Sequence, residues 1–110
     1  MSGSGGGGFG GGSYGEPVAC DRLIIDTAVS SPKEPVIKRL NVGDFLSVVL
    51  EEQFGTTVVA LYLDRDKAGG IPSASTNRLR ECIQAGTTYF ATVTSITDGQ
   101  VQVRIKPVKR

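Results

Sequence analysis

The chain has 110 residues and no histidine. It therefore lacks the side chain that most often acts as a general base or metal ligand near neutral pH. The carboxylates Glu51, Glu52, Asp64 and Asp66 fall at strand ends and turns, where solvated charge is the usual state. No Lys-Ser or Lys-Thr follows the glycine clusters, so none of them is a phosphate loop. The expectation is a protein that is not an enzyme and carries neither cofactor nor metal. The only two cysteines, Cys20 and Cys82, are too far apart for a metal-ligand or CxxC spacing. Cys82 lies on an apolar helix face and reads as a buried free thiol, whereas a Cys20–Cys82 bridge calls for an oxidising compartment. No apolar run approaches the length of a membrane-spanning helix. No charged segment leads into an apolar leader, and Ser2 rather than glycine follows Met1, which removes the acylation pattern. A cytoplasmic protein without a membrane partner is expected.

Charge is nearly balanced, at +1 overall, so net charge does not argue for an acidic partner. Its distribution is uneven. From Arg78 to Arg110 six basic residues face two acidic ones, while residues 1–77 hold six basic and nine acidic.

Glycine is unevenly spread too. Residues 1–15, MSGSGGGGFGGGSYG, hold nine of the fifteen glycines. Glycine loses the most backbone entropy on folding and has no side chain to bury, so this segment reads as a flexible tail. Phe9 and Tyr14 within it are candidate contacts of an interaction arm. Residues 16–110 are left to form a single small domain.

Within that domain, Asp21–Val29, Phe45–Glu52, Thr57–Leu63, Thr88–Ile96 and Gln100–Lys106 read as strands. Thr57–Leu63 is apolar on both faces and is expected to be central. Ser30–Pro35, with two prolines, reads as a loop, and Asp64–Gly70 as a charged turn. One short helix stands between the third and fourth strands. Ser73 or Ser75 is placed to cap it, Leu79, Cys82 and Ile83 share one face, and Gly86 is placed to end it in a left-handed conformation. A mainly β domain with the order β-β-β-α-β-β is that of an OB-like barrel of five or six strands, with the helix closing one end.

The segments GDFLSVVL, VVALYLD with AGGIP, LRECIQAGTTYFATV and VQVRI together resemble the HIRAN domain, from about Gly43 to Ile105. There a Gly/Pro turn precedes a helix that ends at a glycine, and a strand led by tyrosine follows. The resemblance implies an OB-like barrel that grips single-stranded DNA, notably 3′ ends, as an accessory to helicases and nucleases. The chain departs from the family where an Asn, an acidic residue and Asn-Ala precede the third strand, since this region reads EEQFGTTVVALYL. In the family those residues help to form the pocket for the DNA end.

The last hairpin, around Asp98-Gly99, allows two registers. A two- or four-residue loop sets Thr92 and Thr94 on the face of Val103 and Ile105. A three-residue loop with Gly99 in a bulge sets Ala91 and Val93 there instead. Burial favours the second, because a one-residue slip exchanges the faces. Phe90 then shares the outer face with Arg104 and Lys106. A ring that stacks a base beside cations that meet phosphates suits single-stranded nucleic acid; the plainer alternative is that Phe90 packs under the tail or the helix. Arg78 and Arg80 point away from the apolar stripe of the helix, as surface charge or as further contacts. Tyr62 reads as core or half-core, and Phe54 as a turn residue. The leading expectation is a non-enzymatic module for single-stranded nucleic acid. The rival is a protein-interaction or self-assembling subunit that uses the Gly-rich arm.

Overall fold

The computed structural model describes residues 19–72 and 76–108. Six antiparallel strands form one sheet: β1 (Ile25–Ala28), β2 (Phe45–Gln53), β3 (Thr56–Leu63), β4 (Asp66–Gly70), β5 (Tyr89–Thr97) and β6 (Gln100–Pro107). Their spatial order is β1-β6-β5-β2-β3-β4. Among the described residues there are two α-helices, the four-residue α1 (Glu34–Ile37) and α2 (Asn77–Gln84). The fold is mainly β, as expected. The sheet is not closed; Ser30, two residues past β1, forms one isolated bridge with Gly70 of edge strand β4, with backbone hydrogen bonds of 2.7 and 2.9 Å.

Strict alternation builds the core. In β6 Val101, Val103 and Ile105 are buried while Gln102, Arg104 and Lys106 are exposed, the period-two signature of a sheet with one face covered. Leu46 and Val48 of β2, Val59 and Leu61 of β3, and Ala91 and Val93 of β5 line the same inner face. Leu79 and Cys82 of α2 are buried with them, and Ile83 is half-buried against the cluster. The three residues thus share a face, as their spacing predicts.

Four local expectations are corrected. Of the expected turn Asp64–Gly70 only Asp64 and Arg65 turn; Asp66–Gly70 is edge strand β4, so α2 follows the fourth of six strands. Glycines suit this strand because the segment leading from β1 to α1 crosses it closely. A Cβ on Gly69 would lie 2.5 Å from Val29 Cγ1 and 2.9 Å from the Ser30 carbonyl oxygen. The Ser30–Pro35 loop gives way at Glu34 to α1, whose second residue is Pro35; proline is tolerated there because the first helical N–H groups have no partner within the helix. The first strand is shorter than expected, and Cys20–Arg22 forms a 3₁₀ turn before it. Finally, Cys82 is not a free thiol. It is joined to Cys20 in a disulfide with a Cα–Cα distance of 5.5 Å.

Helix α2 ends as its sequence predicts. Gly86 has φ +107°, and the Gly86 and Thr87 N–H groups donate to the Ile83 and Cys82 carbonyls. This double bond pattern satisfies carbonyls that the last helical turn leaves open. At the other end Thr76 occupies the capping position; Ser73 and Ser75 lie outside the described residues.

The final hairpin buries the expected face by a different device. Asp98 and Gly99 both have positive φ, 50° and 82°, and form a two-residue loop between paired Thr97 and Gln100. That is the tight turn matched to strand twist. The extra residue sits inside β5 instead, where the register shifts between Val93 and Ser95. Ala91 still pairs with Ile105, and Val93 with Val103.

Candidate nucleic-acid interface

Residues directly opposite each other in neighbouring strands share a face. Two such rows cross the outer side of the sheet. One runs Asp26–Arg104–Thr92–Phe45 across β1, β6, β5 and β2. The other runs Lys106–Phe90–Ser47–Tyr62–Lys67 across β6, β5, β2, β3 and β4. The second row has a cation at each end and two aromatic rings between. Phe90 and Tyr62 stand two strand spacings apart, about 10 Å.

Phe90 is half-buried, and its ring meets that of Phe45 edge to face, with centroids 5.3 Å apart. Phe45 itself is 65% exposed. A side chain of that size left open to water is informative only as part of a patch. Here the patch continues to Val49 and Tyr62 on the same face. Edge-to-face contact holds the two rings while leaving one side of the pair accessible.

Of the residues singled out from sequence, three lie together. Phe90 pairs with Lys106, and Arg104 occupies the adjoining row. Lys106 is exposed and makes no ion pair among the described residues. Arg104 is engaged. Its Nε and Nη2 donate to the two carboxylate oxygens of Asp26, at 2.7 and 3.3 Å. The hydrogen bond from Arg104 and its charge hold the Asp26 carboxyl below its ordinary range. Tyr62 is half-buried, and its hydroxyl donates to Glu51. Lys67 Nζ donates to the other Glu51 oxygen at 2.8 Å. The Lys67 and Tyr62 hydrogen bonds lower the Glu51 pKa, while the bond to Glu51 raises that of Tyr62.

Arg78 and Arg80 do not join this group. They sit on α2, whose Leu79 and Cys82 are buried in the core beneath the opposite face. Arg78 pairs with Glu81 at 3.2 Å. Arg80 donates to the Thr57 carbonyl at 3.1 Å and to the Asn77 side chain. Phe9 and Tyr14 lie outside the described residues. Phe54 is in a turn, as expected, with φ 50° and full exposure. Among the described residues no cluster of acidic or cysteine side chains is arranged to hold a metal.

Phe45 was missed by sequence reasoning. The signal was available: in FLSVVL the alternation sends Leu46 and Val48 inward, which forces Phe45 outward. An aromatic at an outward position is the anomaly that marks a surface.

Glu51 supplies a pH test. Its folded pKa lies below the ordinary 4.5, so its contribution is present above that value and is lost as the pH falls through the folded pKa. Denaturant midpoints of the native protein should fall on acidification below pH 4.5 more steeply than those of Glu51→Gln. Parallel curves would show that the Lys67–Glu51–Tyr62 contacts add nothing.

The chain matches no protein-family model, no curated protein and no solved structure.

Proposed function

We propose that the protein is a small, non-enzymatic module that binds single-stranded nucleic acid across the outer face of its sheet. The observation that carries this reading is the Lys106–Phe90–Ser47–Tyr62–Lys67 row with Phe45 against Phe90. Aromatic rings stack any base, and flanking cations meet the backbone. Arg104, Lys106 and Lys67 are offset by Asp26 and Glu51 on the same face, so binding is weak and sensitive to salt. The Ser30–Gly70 bridge, which ties the segment after β1 to edge strand β4, supports an OB-like barrel, and the HIRAN-like features point to an accessory of a helicase or nuclease. The Cys20–Cys82 disulfide favours an oxidising compartment over the cytoplasm that the sequence suggests.

A second reading is a protein-interaction or self-assembling subunit. It is favoured by the fully exposed Phe54 at the tip of the β2–β3 hairpin, with the Gly-rich arm as a further contact.

Fluorescence anisotropy with a single-stranded oligonucleotide at low salt tests the first reading. Phe90→Ala and Phe45→Ala should each cost about 1–3 kcal/mol of binding, and Thr56→Ala, at the far end of β3, should cost nothing. Asp26→Asn releases Arg104. It should strengthen binding and steepen the slope against log salt by about 0.7, the value of one phosphate contact on a single strand. Absence of binding at high micromolar protein, with mass rising with concentration, would favour the second reading.

A further inference from the structure

A cavity of about 260 Å³ opens on the same outer side, beyond Tyr62. It is lined by Ser30, Ser31 and Lys33 of the segment after β1, by Gln53 and Lys67, and by Ala60 of β3. Ala60 pairs with Val49 and Gly70 in the row next to Tyr62, so the cavity adjoins the aromatic patch. Two lysines, two hydroxyls and a carboxamide line it, and no carboxylate does. That set of donors fits an anion. The volume lies below the roughly 300–1,000 Å³ of sites for larger organic ligands, and suits one phosphate with part of its sugar.

The wall is rigid where it matters. The Lys33 N–H donates to the Ala68 carbonyl at 2.9 Å, and its own carbonyl accepts from Val36 and Ile37. The neighbouring Ser30 is held by its bridge to Gly70, and Gly69 leaves no room for a side chain between the segment and β4. The exposed Lys33 side chain forms no ion pair among the described residues, whereas Lys67 is shared with Glu51. Lys33 therefore brings the uncompensated charge.

We infer that this cavity is a phosphate subsite, with Lys33 as its principal cation and Ser30, Ser31 and Lys67 as further donors. It receives a backbone phosphate of the strand that crosses the Phe45–Phe90 patch, and in naming that carrier the inference rests on the proposed function.

Amide NMR spectra of the full chain, titrated with inorganic phosphate and separately with a thymidine oligonucleotide at low salt, test it. Phosphate should give saturable shifts at Ser30, Ser31, Lys33 and Gly69–Ile71, absent in Lys33→Ala and restored in Lys33→Arg. The oligonucleotide should shift the same amides, and Lys33→Ala should flatten its salt slope by about 0.7. Phosphate shifts without any oligonucleotide binding would keep the subsite, assign it to free phosphate esters, and count against the nucleic-acid reading alone. Oligonucleotide binding that ignores Lys33, with no phosphate shifts in the cavity, would overturn the subsite and leave that reading standing.

Discussion

Reduction of the Cys20–Cys82 bridge should destabilise the fold by about 4 kcal/mol. The two cysteines are 62 residues apart, and closing a loop of that length removes a corresponding amount of entropy from the unfolded chain. The bridge has a local effect as well. It ties the 3₁₀ turn before edge strand β1 to the buried face of α2, and the Tyr89 hydroxyl donates to the Cys20 carbonyl at 2.6 Å beside it. For a domain of this size the loss corresponds to a fall of about 15–30 °C in the thermal midpoint. Calorimetry with and without a phosphine reductant measures it. Equal midpoints, with thiol titration confirming complete reduction, would show that the bridge adds no stability. Cys20→Ser should reproduce the loss, since Cys20 is only half-buried and leaves a small defect.

Leu79→Ala should cost about 2–5 kcal/mol, the range for truncating a buried leucine. Leu79 is fully buried beside Cys82, and its removal leaves a cavity between α2 and the sheet. Arg80→Ala, one residue on, should cost under about 1 kcal/mol; it removes a partly exposed side chain whose bonds to Thr57 and Asn77 lie at the helix surface. Urea denaturation of both variants gives the comparison. Similar small costs would mean that α2 is not anchored by its apolar face.

The parts of the fold legible in the sequence were those in which one residue pattern answers to one physical cause. Alternation in QVQVRIK puts Val101, Val103 and Ile105 inside. Helical spacing puts Leu79 and Cys82 inside, and Gly86 ends the helix. Strand β4 was hidden because Ala68, Gly69 and Gly70 carry no strand preference of their own; their small size answers to a segment about forty residues earlier that crosses them. The bulge in β5 was hidden for a related reason. Burial dictated which face Val93 takes, but several positions of an extra residue satisfy that demand, and turn geometry at Asp98-Gly99 selected the one inside the strand. The disulfide depends on a distance between residues 62 positions apart, which no local pattern encodes.

The candidate site was legible in part for the same reason. Phe90, Arg104 and Lys106 belong to neighbouring strands of one hairpin, so alternation and register alone bring them together. Phe45, Tyr62 and Lys67 join them only through the order β6-β5-β2-β3-β4, which is a property of the sheet. Asp26, the partner of Arg104, comes from edge strand β1, 78 positions earlier in the chain. The helix arginines read in sequence as surface charge or further contacts, and the burial of Leu79 and Cys82 assigns α2 to the opposite side.

A ligand bound as proposed would lie on the outer face of the sheet, against Phe45 and Phe90. A titration of the isotope-labelled full chain with a single-stranded oligonucleotide, followed by side-chain methyl and aromatic NMR, tests it most directly. The Phe45, Val49, Tyr62 and Phe90 resonances should shift saturably, with those of Leu79 and Ile83 unchanged. Shifts confined to α2 and the turn at Phe54-Gly55, or no shifts at any concentration, would contradict it.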